Sequence, residues 1–257
     1  TQTHQATNTP FLLDTSTVHL VLEGKVDVFA VGTPEDGDEF GPRKFMFSVA
    51  ADEALWGMNG ARAVSGFGLL AVTGLNTRLV AVERQHFLTL AQVREYTRDV
   101  GALLDRYARR LSSAISRHDH RQFQPLTPAP NLQLQPGAIA GGHQHSAWVR
   151  HTSGTSCFAG VDHLVLDDQE LFYPIAEGAW LASDTGAELE IIDTAQYLAQ
   201  DPSWRGFDSF MQLFHQWLAH DWAQGEAAER RRLAQRLQSD RDLQQSSLAD
   251  LASLMEQ

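Results

Sequence analysis

The sequence predicts an α+β protein made of two β-rolls, each followed by long amphipathic helices. Short apolar strands separated by glycine-bearing turns fill residues 18–82, and a helical period then takes over to residue 117. After a joint carrying Pro125, Pro128 and Pro130, strands and then a long amphipathic helix follow again. The prolines remove amide donors and push each preceding residue out of the helical region, so the joint separates two copies of one plan. A chain of 257 residues is long enough for two compact domains. The expected division is a disordered leader at 1–10, a roll plus helix at 11–122, a proline-rich linker at 123–136, and a second roll plus C-terminal helices at 137–257.

In the first half, residues 18–31 alternate apolar and other side chains on either side of Glu23 and Gly24, a hairpin pattern whose turn tolerates positive φ. Strands are expected at 43–49, 66–72 and 77–82, with a loop at 33–38. The helix that follows sets Leu90, Val93, Val100, Leu104, Tyr107, Leu111 and Ile115 on one face. His118 and His120 close it, where cations suit the helix dipole.

In the second half, residues 147–160 lay over the first hairpin, Gly154 on Gly24 and Phe158 near Phe29. Middle strands are expected at 172–175 and 179–182, and residues 188–194 echo 78–83. From Trp204 the chain is helical, and Phe207, Phe210, Phe214, Trp217 and Leu218 form a wide stripe. Past Gly225 the pattern continues through Leu233, Leu237, Leu248, Leu251 and Met255. A helix this long outruns a small barrel. Phe210, Phe214, Trp217 and Leu218 are therefore the candidate assembly face, for the first half's helix, a homodimer or another body.

Composition narrows the partners. A net charge of −12 argues against nucleic acid and anionic membrane surfaces, which need clustered cations. The single cysteine, Cys157, forms no internal disulfide, which favours a reducing, cytoplasmic compartment. No apolar run approaches the ~20 residues of a membrane span, so no direct membrane insertion is expected, and residues 1–10 lack a basic-then-apolar signal.

The order of residues 23–29, then Ala54, Leu55, Trp56, Gly57 and Met58, then residues 77–82 running into a helix through Phe87, resembles a cyclic-nucleotide-binding fold. In that family a phosphate-binding cassette of aromatic-Gly-Glu type holds the phosphate on backbone amides and an arginine, and the ribose on the glutamate. By that resemblance Trp56, Gly57, Met58 and Arg62 are the degenerate ligand-binding positions. Met58 stands where the glutamate belongs, and neither Arg62 nor Arg78 has the family spacing. The resemblance thus implies the fold without a working nucleotide site, and no cofactor. The plainer reading of Trp56, Gly57 and Met58 is a turn packed under the barrel.

A second resemblance covers residues 11–255. The Glu23 to Val31 opening, the 54–58 turn, Gly68 to Val72, Trp148-Val149-Arg150, Leu189 to Thr194 and Ala227 to Arg230 are similar to the amino-terminal cytoplasmic region of one kind of bacterial peptide exporter. These are the ABC transporter permease/ATP-binding proteins of bacteriocin systems whose precursors carry nitrile-hydratase-like leader peptides. The resemblance implies a non-catalytic regulatory or accessory module at the cytoplasmic face, with the transporter's membrane and ATPase body and a precursor peptide as partners. No Gly-x-x-x-x-Gly-Lys-Ser/Thr loop occurs in the chain.

Two other classes stand beside it. One is a sensor binding a cyclic nucleotide or other small ligand in the first roll. The other is a metal-dependent, cupin-like enzyme using His143 and His145, whose i, i+2 spacing on a strand turns both to one side. A cupin motif wants a glutamate four or five residues on, where Val149 and Arg150 stand. A glycine-rich loop with solvated histidines is the simpler account, and no metal is expected. Cys157 has no flanking base, the serines lack a triad context, and the acidic turn at 167–170 lacks a calcium loop. No enzyme is expected from this segment.

Overall fold

The computed structural model describes residues 2–5, 9–32, 42–58, 66–115, 123–142, 145–167 and 169–255. The chain divides into two compact units, Thr1–Trp217 and Leu218–Gln257. The first unit holds both rolls.

The first roll is formed by β1 (Gln2–Gln5), β2 (Phe11–Leu12), β3 (Thr17–Glu23), β4 (Lys25–Gly32), β5 (Arg43–Ala50), β6 (Glu53–Trp56), β7 (Phe67–Thr73) and β8 (Arg78–Glu83). They make two four-stranded sheets, ordered β1, β8, β3, β6 and β2, β7, β4, β5. Along β4, buried Val26, Val28 and Ala30 alternate with more exposed Lys25, Asp27 and Phe29, the two-residue period of a strand with one covered face. The leader expected to be disordered contributes β1, which pairs Gln2 with Ala81 and Gln5 with Arg78.

The hairpin expected around Gly24 is a corner instead. β3 pairs with β6 and β8, while β4 pairs with β5 and β7, so the chain changes sheets at Gly24. Gly24 has φ of +82°, and a Cβ there would lie 2.6 Å from Thr77 Oγ1. Alternation cannot distinguish a hairpin from a corner, because both interrupt two strands with a left-handed residue.

The second roll is formed by β9 (Gln124–Pro125), β10 (Ala129–Leu134), β11 (Ala138–Gly141), β12 (Ala147–Gly154), β13 (Ser156–Phe158), β14 (Val165–Leu166), β15 (Tyr173–Ile175), β16 (Trp180–Ser183) and β17 (Ala187–Ile192). The expected linker at 123–136 is therefore part of this roll. Pro125 and Pro130 sit in outer strands, where a missing amide costs no central ladder bond.

The sheets run β10, β17, β12, β15 and β14, β13, β16, β11, β9. Apart from β9, each strand has its counterpart in the first roll in the same sequence order and the same sheet position. The register irregularity recurs too: β3 slips between Val21 and Glu23 against β8, and β12 between His151 and Ser153 against β17. Gly154, at φ +74°, makes the same corner as Gly24. The repeat is one of topology down to a single bulge.

Each roll also has a close backbone crossing beside its β6-type strand. In the first, a Cβ on Gly57 would fall 2.1 Å from Asp14 O. In the second, a Cβ on Gly142 would fall 2.2 Å from Ala176 C. The glycine has moved to the opposite partner of the crossing, and the close approach has been kept.

The helix expected over 86–117 is two, α1 (Arg84–Ala91) and α2 (Thr97–Ile115), joined by a turn. The break rotates Leu90 and Val93 outward, 39% and 42% exposed, while Val100, Leu104, Tyr107 and Leu111 are buried. A short α3 (Thr194–Gln200) starts with a capping box, in which Asp193 Oδ1 accepts from Gln196 N and the Gln196 side chain accepts from Asp193 N. Helix α4 (Arg205–Met255) then runs through Gly225 without interruption. In the second unit, residues 218–255 continue this helix, and Leu233 and Leu237 are over half exposed. Among the described residues no helix is long and apolar enough to cross a membrane.

Within the first unit, the opening turns of α4 join the core of both rolls. Trp56 of β6 has ring contacts with Phe87, Tyr107, Trp204 and Phe207 at centroid separations of 5.0 to 6.3 Å. Three residues beyond Phe207, Phe210 meets Phe158 of the second roll edge to face at 5.8 Å. Arg84 pairs with Asp208 at 2.7 Å, and His215 is 3.0 Å from Phe67 O. Glu53 of β6 receives Arg110 of α2 on both carboxylate oxygens, which fixes α2 across the first roll.

Candidate functional site

The residues aligned with a phosphate cassette belong to the core. Trp56 and Met58 are 3% and 4% exposed, and Gly57 is buried against Leu13 and Asp14. The Tyr107 hydroxyl donates to Trp56 O, joining this turn to α2. Removing that hydroxyl in Tyr107→Phe deletes a buried hydrogen bond and is expected to cost about 1 kcal/mol in urea unfolding. A cost near zero would mean the carbonyl is solvated. Arg62 lies outside the described residues. Arg78 pairs at the surface with Glu23 at 3.3 Å.

In the second roll, only four residues, 176–179, separate β15 from β16. That is a turn, too short for a phosphate-cradling segment.

Of the two metal candidates, His143 lies outside the described residues, and His145 is exposed. Among the described residues no group of three or more histidine, cysteine or acidic side chains is placed to hold a metal ion. Cys157 is half-buried, and burial together with the Asp162 and Asp184 carboxylates pushes its thiol pKa up, away from a reactive thiolate.

Most of the proposed assembly stripe, Phe210, Phe214 and Trp217, lies in the first unit. Phe210 and Phe214 are 0% exposed, Trp217 is 7%, and Phe214 packs on Trp217 at 5.5 Å. Within that unit these three side chains are packed inside the chain, which corrects the expectation that they form an open docking face.

Sequence reasoning missed the clefts, because their walls come from distant segments. One, of about 990 Å³, is lined by hydroxyl residues Thr15, Ser16, Thr17 and Ser203 around the Arg84–Asp208 pair. Another, of about 490 Å³, lies where the α1–α2 turn and α2 meet the second roll. Arg94, Thr97, Arg98 and Asp105 form one wall, and His145, Ser146, Asp193 and Thr194 form the other.

The acids in this second cleft are already engaged. Asp105 accepts from Ser146 N at 3.0 Å and Thr194 Oγ1 at 3.4 Å and lies 3.5 Å from Arg109 Nε, while Asp193 caps α3. Trp148 Nε1 donates to Thr194 Oγ1 at 3.0 Å, and the Trp148 ring stacks on Tyr197 at 3.5 Å, so this wall is held rigidly. Arg94 and Arg98 are exposed and have no carboxylate partner among the described residues.

A buried histidine marks the corner of the second roll. His151 is fully buried, its Nε2 is 2.9 Å from Ser156 Oγ, and its Nδ1 has no partner among the described residues. Burial lowers its pKa to about 4, with Asp167 opposing the shift. The folded state therefore holds the ring neutral where the unfolded chain, with a pKa of about 6.5, takes a proton. Its contribution is complete above about pH 6.5 and is lost as the pH falls toward about 4, by about 3 kcal/mol in all. Urea unfolding of the protein and of His151→Gln across this range should show that excess acid sensitivity only in the protein. Parallel pH profiles would show that His151 is not buried neutral.

No family model matches the sequence, and no curated protein matches it. Solved structures similar to the chain include cAMP-bound PfPKA-R, 10% identical with TM-score 0.28, covering 84% of this chain and 79% of that one. The regulatory domain of Toxoplasma gondii PKA with cAMP is 9% identical, with TM-score 0.21 and coverage of 85% of each chain. The regulatory subunit of a cAMP-independent protein kinase A from Trypanosoma brucei is 11% identical, with TM-score 0.26, covering 88% of this chain and 81% of that one. Similarity at this depth concerns fold alone. The description as two β-rolls of one strand order rests on this chain's own pairing.

Proposed function

We propose that the chain is a non-catalytic regulatory module of a bacterial ABC exporter of ribosomally made peptides, acting at the cytoplasmic face by recognising precursor peptide or controlling the transporter. The observation that carries the reading is the burial of Trp56, Gly57 and Met58 in a core shared with α2 and α4. A roll whose cassette turn is filled by aromatic rings serves as a platform for helices. The exporter context comes from the sequence resemblance, whose motifs at 23–31, 148–150 and 189–194 lie on β3, β4, β12, β17 and the start of α3.

The test combines two titrations of the whole chain. Labelled precursor peptides encoded beside its gene are expected to bind saturably, or the chain is expected to alter the ATPase rate of the neighbouring transporter. Cyclic AMP and cyclic GMP are expected to give no heat in calorimetry, since Met58 offers no acceptor for a ribose hydroxyl. Micromolar nucleotide binding that Arg62→Ala abolishes would replace the exporter reading with the sensor. Stoichiometric metal lost in His143→Ala, His145→Ala would replace it with the cupin enzyme.

A further inference from the structure

We propose that the cleft between the α1–α2 turn and the second roll binds a small multivalent oxyanion, of the organic phosphate or polycarboxylate class, through Arg94 and Arg98. The site does not depend on the exporter reading. Its first support is the placement of two arginines on one wall of the cleft. Arg98 stands in the first turn of α2, Arg94 stands four residues before it in the α1–α2 turn, and both are exposed. Neither has a carboxylate partner among the described residues.

The second support is the opposite wall. The cleft's two acids keep their charge, but each has a local counterweight: Asp105 lies 3.5 Å from Arg109 Nε, and Asp193 sits at the N-terminus of α3. His145 adds a donor on the far side, and Thr97 and Thr194 contribute hydroxyl groups to the lining. A volume of about 490 Å³ is of the size that holds a small organic ligand. Two guanidinium groups and an imidazole lining one cleft suit oxygens presented in more than one direction, which a multivalent anion supplies and chloride does not. The ligand would touch α2 of the first roll and the β11–β12 connection and α3 start of the second, so occupancy would stiffen the junction of the two rolls.

The test uses the whole chain with inorganic phosphate and citrate as separate probes, followed by calorimetry and amide NMR. Saturable one-to-one binding is expected, weakening with added salt, with shifts at Gly101, Ser146 and Thr194; the tighter probe identifies the ligand class. Arg94→Gln with Arg98→Gln should weaken binding by roughly tenfold per arginine. The pair Arg94→Lys with Arg98→Lys keeps the charge, lacks the fork, and should fall between. If the glutamine variant fails to fold, the lysine pair and His145→Gln carry the comparison. Binding no tighter than about 1 mM for both probes, NMR shifts confined to other surfaces, or unchanged affinity in the folded variants would overturn the proposal.

Discussion

Gly57→Ala is expected to destabilise the first roll by about 3 kcal/mol or more, beyond the usual range for an added methylene. The new Cβ would stand 2.1 Å from Asp14 O and 2.5 Å from Leu13 C, both backbone atoms. No rotamer change relieves a clash with backbone; the chain segments themselves must part. Gly142→Ala should cost as much in the second roll, where Ala176 backbone lies at 2.2 Å. Gly225→Ala, with nothing within 4 Å, is the counter-case and should stabilise α4 by up to about 1 kcal/mol. Urea midpoints measure all three. A Gly57→Ala protein as stable as the parent would mean the crossing is looser than described.

Trp56→Ala is expected to cost about 3–5 kcal/mol. The indole touches four aromatic rings supplied by α1, α2, the α3–α4 connection and α4. Its removal opens a cavity that those rings cannot close without moving helices. Denaturant unfolding gives the magnitude, and loss of near-ultraviolet circular dichroism would report disorder among the remaining rings. A loss under about 1 kcal/mol would put Trp56 at an open face, as a ligand-contacting residue would be.

The repeat was legible because both rolls keep the same apolar alternation and the same glycine corner. Gly24 over Gly154 and residues 78–83 over 188–194 lie where the strand orders put them. What escaped was set by long-range pairing. Residues 2–5 and 129–134 are strands because β8 and β17 lie beside them, and their own polar or proline-bearing sequences give little sign of it. The break between α1 and α2 was hidden because Leu90 and Val93 keep the helical period yet face solvent. At the candidate site, the packed turn of Trp56, Gly57 and Met58 was readable in the sequence, whereas the cleft was not, since Arg94 and His145 line one cleft only after the rolls meet. The aromatic stripe at 210–217 needed cover, and within the first unit the chain itself supplies it.

The shared core has a consequence for biosynthesis. Arg84 waits 124 residues for Asp208, Trp56 waits longer for Trp204 and Phe207, and Phe87 waits nearly as long for Trp204. At elongation rates of about 5–20 residues per second that interval lasts on the order of ten seconds, far longer than a hairpin takes to form. During it the newly made first roll presents a bare aromatic surface at the ribosome exit, sealed only once the start of α4 has emerged. Chaperone holdases bind that kind of surface, so translation pauses placed before residue 204 would prolong its exposure and lower the yield of folded protein.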